Sequence, residues 1–206
     1  IQNKALELSL FLSLPASIAL LIASDEIISS LFGYGQFDES SVLNSAKALY
    51  YFSLGLPAFA MIKVFSNFFF ANHDTKTPFY ISLVSVLLNI LISVYFFKSI
   101  GFIIIPIATT ISSWFNMIAL FFSLQKRSLF SFNNIFIKRF FKIVFSSILM
   151  GLFFNYLMVM FNEQLSFENS FKSVYLILSV TLGLGFYLLT SYFIKAFQFE
   201  DIKLKY

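Results

Sequence analysis

Apolar runs of about twenty residues, separated by short polar interruptions, fill most of this 206-residue chain. A hydrocarbon core about 30 Å thick is crossed by about 20 residues of helix. Six segments reach that length: roughly Ala5 to Ser24, Leu49 to Ala71, Pro78 to Phe97, Phe102 to Leu124, Phe140 to Phe161 and Val174 to Phe197. They are too long for barrel strands, which run about ten residues with apolar and polar positions alternating. The pattern predicts an all-α integral membrane protein with six transmembrane helices.

The sharpest interruption is ANHDTKTPF, residues 71 to 79. It reads as a hairpin between the second and third spans, where backbone groups leave the helix and need water. Pro78 suits the first turn of the third helix, where its missing N–H is not needed. Thr75 or Thr77 is expected to cap that helix, with Asp74 near its positive end. Pro15, Pro57 and Pro106 fall within the first, second and fourth spans, where each is expected to remove a hydrogen bond and kink the helix.

In the third span Ser82, Ser85, Asn89 and Ser93 recur at helical spacing, and in the fourth Thr109, Ser112, Ser113 and Asn116 do the same. Two readings stay open. Small hydroxyls and asparagines pack helices together and bond across them; alternatively the stripes face a hydrated path or a sodium-like cation, for which Asn and Thr oxygens are suitable hard ligands. Lys63 is the basic residue well inside a span, and it either snorkels toward the nearer membrane face or points into a cavity or lobe interface. The interiors of the fifth and sixth spans are almost wholly apolar, as expected of helices surrounded by lipid or something lipid-like.

Composition sharpens the class. The chain is 59% hydrophobic and 12% charged, against about 25% charged in ordinary soluble domains, and its mean hydropathy is +0.85. Cysteine is absent, so there is no thiolate or cysteine metal site. His73 is the single histidine, no acid, base and nucleophile set lies within the spans, and no zinc spacing or phosphate loop is present. The chain therefore reads as no enzyme, without a cofactor and without a nucleic-acid partner.

Charge position sets the expected orientation, because basic flanks stay cytoplasmic. Lys4, Lys76, Lys126, Arg127, Lys138, Arg139, Lys142, Lys195, Lys203 and Lys205 fall on one side; Lys47, Lys98 and Lys172 fall on the other. Both ends are then expected in the cytoplasm, with the 25–48, 98–101 and 162–173 connections outside. The stretch from Gln125 to Lys142 interleaves basic residues with phenylalanines and reads as an interfacial segment on anionic headgroups. The expected organisation is 1–125 as four helices of one lobe, 126–139 as that linker, 140–197 as two additional helices and 198–206 as a cytoplasmic tail. The opening Ile1, close to an apolar span and without a leader, reads as part of a longer protein.

The order LFLSLPASIALLIASDEIISSLFGYGQF, then ALYYFSLGLPAFAMIKVFSNFFFANHDTKTP, then GFIIIPIATTISSWFN resembles the MurJ (MviN) family of lipid II flippases, of the multidrug/oligosaccharidyl-lipid/polysaccharide exporter superfamily. The resemblance covers essentially the whole chain and is most specific over 31–37 and 55–78. It implies the last six helices of a fourteen-helix bundle in the bacterial cytoplasmic membrane, with an N-terminal half of the same protein, lipid II and membrane lipids as partners. The turn of Asp74, Thr75, Lys76, Thr77 and Pro78 is a family hallmark, and the two C-terminal helices would line a groove for the polyprenyl tail.

By the same resemblance some members bind sodium through residues that align with Asn89 and Thr109. The acidic ligand expected one turn after the asparagine is Ser93 here. The cavity arginines of the family lie in other helices, and both arginines of this chain fall in a loop, so the headgroup site is expected outside this chain. The implied activity is flipping of the lipid-linked peptidoglycan precursor by alternating access. An exporter of another polyprenyl-linked glycan and a membrane scaffold for cell-wall enzymes are the competing expectations.

Overall fold

The structure is a computed structural model, which describes residues 2–196. Within them the chain is helical: α1 (Gln2–Ile22), α2 (Ser24–Phe32), α3 (Glu39–Ala71), α4 (Lys76–Ile100), a single 3-10 turn (Gly101–Ile103), α5 (Ile104–Lys126), α6 (Asn134–Met160) and α7 (Lys172–Phe193). Five uninterrupted helical stretches are long and apolar enough to cross a membrane. One of these, Lys76–Lys126, bends back on itself at Gly101. Asn89 bonds Thr109 across the bend and Asn116 bonds Ser82, so α4 and α5 are antiparallel and the stretch supplies two spans. Gly101 has φ +76° and ψ −154°, a region open essentially to glycine alone.

Neighbouring helices pack in the order α4, α5, α3, α1, α6, α7, so the bundle is a row with α3 and α1 at its centre. Two apolar clusters hold it. Leu6, Leu10, Phe65, Phe69, Leu120 and Leu124 fill the basic end, and Phe11, Ile143, Met150, Phe154, Leu176 and Tyr187 join α1 to α6 and α7. In lipid such helix pairs are held by close packing and internal hydrogen bonds more than by hydrophobic burial.

Three boundaries differ from the sequence expectation. Residues 24–32 form α2, a short helix packed on α3 and α7 in what reads as an open connection. Its nine residues are too few to register as a span. Helix α3 starts at Glu39, ten residues before Leu49, because the Asp38 carboxylate caps it by accepting from the Ser41 N–H at 2.9 Å. Helix α6 starts at Asn134, capped by Asn133, so Lys138 and Arg139 lie on a helix.

The segment before α6 folds back onto the bundle. Phe130 stacks on Phe68 with centroids 5.8 Å apart, and Phe132 stacks on Phe136 at 5.0 Å. Phe130 and Phe136 are buried. Their hydrocarbon is covered by protein, which an interfacial reading of the phenylalanines does not anticipate. The proposed tail 198–206, with Lys203 and Lys205, lies outside the described residues, as does the last residue of the expected sixth span.

Candidate functional site

Pro15 has no N–H to offer the carbonyl of Phe11, four residues earlier. The Tyr187 hydroxyl donates to that carbonyl at 2.8 Å, from α7. The same device serves Pro57, where the Ser17 hydroxyl donates to the freed Ser53 carbonyl at 2.6 Å. Around that kink Thr110 donates to the Tyr51 carbonyl at 2.6 Å and the Trp114 indole N–H to the Leu54 carbonyl at 3.0 Å. Helix α3 is thus tied to α1 and α5 where its own ladder is weakest. Pro106 differs from expectation: it is the third residue of α5, within the first turn, and needs no such repair.

The Tyr187 contact forms the floor of an apolar groove of about 230 Å³ between α1, α6 and α7. Phe11, Pro15, Ala16, Met150, Gly183 and Tyr187 are among its walls. The α6–α7 pair is fastened to the rest of the row at both ends. At the basic end Arg139 Nη1 donates to Glu7 Oε2 at 2.9 Å, with Glu7 buried. Arg139 therefore does not fall in a loop, contrary to the sequence reading, and the Glu7 carboxylate on the first span carried no signal of its partner 132 residues away.

At the opposite end the sequence assigns Lys172 to an exposed connection, but it is only 1% exposed. Its ammonium donates to the carbonyls of Gly33 and Phe167, each at 2.8 Å, and lies 4.5 Å and 4.4 Å from the ring centroids of Tyr34 and Phe167. Two carbonyls and two ring faces replace the water this cation loses. A Cβ at Gly33 would meet the Ser29 carbonyl oxygen at 2.5 Å and the Phe167 ring at 2.9 Å, so glycine is required there.

The 71–79 turn joins α3 to α4. Asp74 N–H bonds the Phe69 carbonyl and His73 N–H the Phe70 carbonyl, a Schellman stop with His73 at φ 58°. Neither Thr75 nor Thr77 caps α4 with its side chain. Asp74 does so, accepting from the Thr77 N–H at 3.0 Å and from the Thr77 hydroxyl at 2.6 Å. Arg127, at the end of α5, pairs with Asp74, donates to Thr77 Oγ1 at 2.7 Å and lies over the Phe69 ring. The Thr77 hydrogen bonds foremost, then Arg127, hold the Asp74 carboxyl down at about 2. Thr75 and Lys76 are exposed, and Pro78 is buried in the first turn of α4.

The polar stripes of α4 and α5 do meet. Asn89 Nδ2 donates to Thr109 Oγ1 at 3.0 Å and approaches Ser112 Oγ at 3.4 Å, while Thr109 donates to the Ile105 carbonyl at 2.8 Å. Asn116 donates to Ser82 at 3.4 Å. Ser93, one turn beyond Asn89, has a buried hydroxyl that makes no hydrogen bond. As arranged, the set is neutral, with the Asn89 amide nitrogen turned toward Thr109 and the Thr109 hydroxyl committed to the Ile105 carbonyl. Among the described residues no three His, Cys, Asp or Glu side chains converge. Lys63 is exposed on α3, about 200° around that helix from Met61.

The sequence family described as "Lipid II flippase MurJ" matches residues 1–177. A "Probable lipid II flippase MurJ" of Thermotoga maritima is 34% identical over 194 residues, 94% of this chain and 37% of the relative. Its counterpart in Rickettsia prowazekii is 38% identical over 117 residues, 57% of this chain and 23% of the relative. A solved structure, "Lipid II flippase MurJ, inward closed conformation", superposes with a TM-score of 0.77 at 28% identity, over 94% of this chain and 38% of that one. The chain thus spans between about a quarter and two fifths of the length of these relatives. With the helix row, the apolar spans and this match in agreement, the chain is a multi-pass membrane protein that belongs to the lipid II flippase MurJ family.

Proposed function

We propose that this chain is the C-terminal share of a flippase that carries lipid II across the bacterial cytoplasmic membrane by alternating access, without covalent chemistry. The observation that carries this reading is the apolar groove between α1, α6 and α7. A polyprenyl tail needs a hydrocarbon path beside the route of its headgroup. The groove offers one, on the side of α1 that carries Leu12 and Ala16. That side of the row is also the one on which α3 presents Lys63, the exposed mid-span cation that suits an anionic headgroup or the partner lobe. The Arg139–Glu7 pair and the Lys172 contacts make α6 and α7 move with α1 and α2.

The test is lipid II flipping by the full-length protein in vesicles. Ala16→Phe blocks the groove and is expected to abolish transport, whereas Leu178→Phe, on the exposed side of α7, is expected to leave it intact. Equal rates for the two would remove the groove from the mechanism.

The basic end is taken to face the cytoplasm. Lys4, Lys76, Lys126, Arg127, Lys138, Arg139, Lys142 and Lys195 gather there, with Lys47, Lys98 and Lys172 at the other end. The chain has no native cysteine. With any cysteine outside this chain replaced by serine, an impermeant thiol reagent on whole cells should label Ser170→Cys and spare Ser128→Cys; the reverse pattern would invert the topology.

A further inference from the structure

We propose that the other face of the helix row holds a second lipid site, which takes one acyl chain of an anionic glycerophospholipid from the leaflet at the basic end. This site does not rest on the transport reading. It is a groove of about 420 Å³ built by α1, α3, α5 and the start of α6, with Leu10, Met61, Phe65, Trp114, Met117 and Phe136 among its walls. Its α1 wall is Leu6, Leu10 and Leu14. Leu12, which lines the tail groove, lies two residues from Leu10 and about 200° around the helix. The two grooves therefore open on opposite sides of the row.

Three features select the occupant. Every lining side chain is apolar apart from the Trp114 N–H, which is already committed to the Leu54 carbonyl. Such a groove in a bilayer takes hydrocarbon and holds no water. Its length is that of one leaflet. From Leu6 to Leu14 the helix rises about 12 Å, against about 15 Å for half of the hydrocarbon core, and the groove starts at the basic end, where Phe132 and Phe136 line it. A partner helix would need a seat along the whole thickness. Finally, the charge at its mouth is positive. Lys138 is exposed, follows groove-lining Ile137 and precedes groove-lining Phe141 by one turn. It makes no ion pair among the described residues, so it is free to meet a phosphate.

Trp114 is the single tryptophan of this chain and sits in the groove wall, so it reports on the occupant directly. The protein, with any tryptophan outside this chain replaced by phenylalanine, is reconstituted in phosphatidylcholine. A small fraction of lipid brominated on its acyl chains is then added, as either phosphatidylglycerol or phosphatidylcholine. Brominated phosphatidylglycerol is expected to quench Trp114 the more strongly. Lys138→Gln should lower its apparent affinity about fivefold, as for one interfacial lysine. Met61→Phe with Met117→Phe fills the groove and should erase the selective part of the quenching, while an unchanged melting temperature certifies the fold.

Equal quenching by the two lipids overturns the proposal, as does selectivity that survives the filled groove. So does displacement of the brominated lipid by equimolar polyprenyl phosphate, which would make this groove a second seat for the transported tail. None of these readouts depends on transport, so they stand whether or not Ala16→Phe blocks flipping.

Discussion

The Tyr187 hydroxyl donates to the Phe11 carbonyl at 2.8 Å, the acceptor that Pro15 strips of its helical partner. A kink in α1 and a tyrosine in α7 are thereby one feature, and it closes the floor of the groove between α1, α6 and α7. Tyr187→Phe leaves a buried carbonyl unsatisfied and is expected to cost about 1 to 3 kcal/mol. In a Pro15→Ala background the carbonyl regains a helical N–H as donor, so the same change should cost much less. Melting temperatures of the four proteins form the cycle. Equal costs in both backgrounds would show that the kink and the hydroxyl act independently.

The Asp74 carboxyl, ordinarily 3.8, is lowered to about 2 by the Thr77 hydroxyl and N–H and then by Arg127. A depressed folded-state value contributes stability that is present above the unfolded value and lost as pH falls through the folded one. Thermal stability should therefore decline between about pH 4 and pH 2, beyond the general acid effect. Asp74→Asn should remove that part of the decline and loosen α5 from the turn. A pH profile of the variant that parallels the wild type would separate Asp74 from acid sensitivity.

His73 holds φ 58° at the end of α3. The left-handed region costs a residue with a Cβ about 1 to 2 kcal/mol, partly offset by the greater unfolded freedom of glycine. His73→Gly is expected to raise stability by up to about 1 kcal/mol, and His73→Ala to lower it or leave it unchanged. Destabilisation by glycine would mean that the imidazole itself makes a contact worth more than the strain.

These helix stops also explain what the sequence conceals. The long apolar runs and the proline after the 71–79 turn made the spans and their hairpin legible, because both rest on local chemistry. Helices α3, α5 and α7, however, all end in Schellman stops with His73, Ser128 and Lys195 in the left-handed position. No glycine marks them. The caps at Asp38 and Asn133 are local and readable, yet a search by span length steps over them. Arg127 on Asp74, Arg139 on Glu7 and Lys172 on Gly33 join residues 53, 132 and 139 positions apart. Nothing in either partner's neighbourhood names the other. The stripes of α4 and α5 were legible as faces, while which atoms they turn to each other was not.

Lys172 is a buried cation held by carbonyls and rings, and among the described residues no carboxylate pairs with it. Lys172→Met removes the donor to the buried Gly33 carbonyl, worth about 1 to 3 kcal/mol when left unpaired, and to the half-buried Phe167 carbonyl, against the relief of no longer burying a charge. A net loss is expected, concentrated in 33–37 and 167–172. Amide hydrogen exchange should rise in those segments and stay unchanged in α4 and α5. An increase spread evenly along the chain would mark Lys172 as a general stabiliser instead of the fastener of α7 to the 33–37 loop.

Asn89 and Thr109 make the last case, because composition alone leaves packing and cation binding open. Their side chains satisfy each other and the Ile105 carbonyl, and the neighbouring Ser93 brings no charge. A neutral seam predicts equal melting temperatures in sodium and potassium chloride at the same ionic strength. Asn89→Ala should then cost about 0.6 to 2 kcal/mol in both salts, the range for a hydrogen bond between membrane helices. Ser93→Asp places a carboxylate one turn from Asn89 and should create a sodium response that the unaltered protein is expected to lack, since a hard cation favours a charged oxygen. A sodium shift in the unaltered protein that Asn89→Ala abolishes would establish the opposite: that the amide turns over to present Oδ1, and that neutral oxygens suffice to hold the ion.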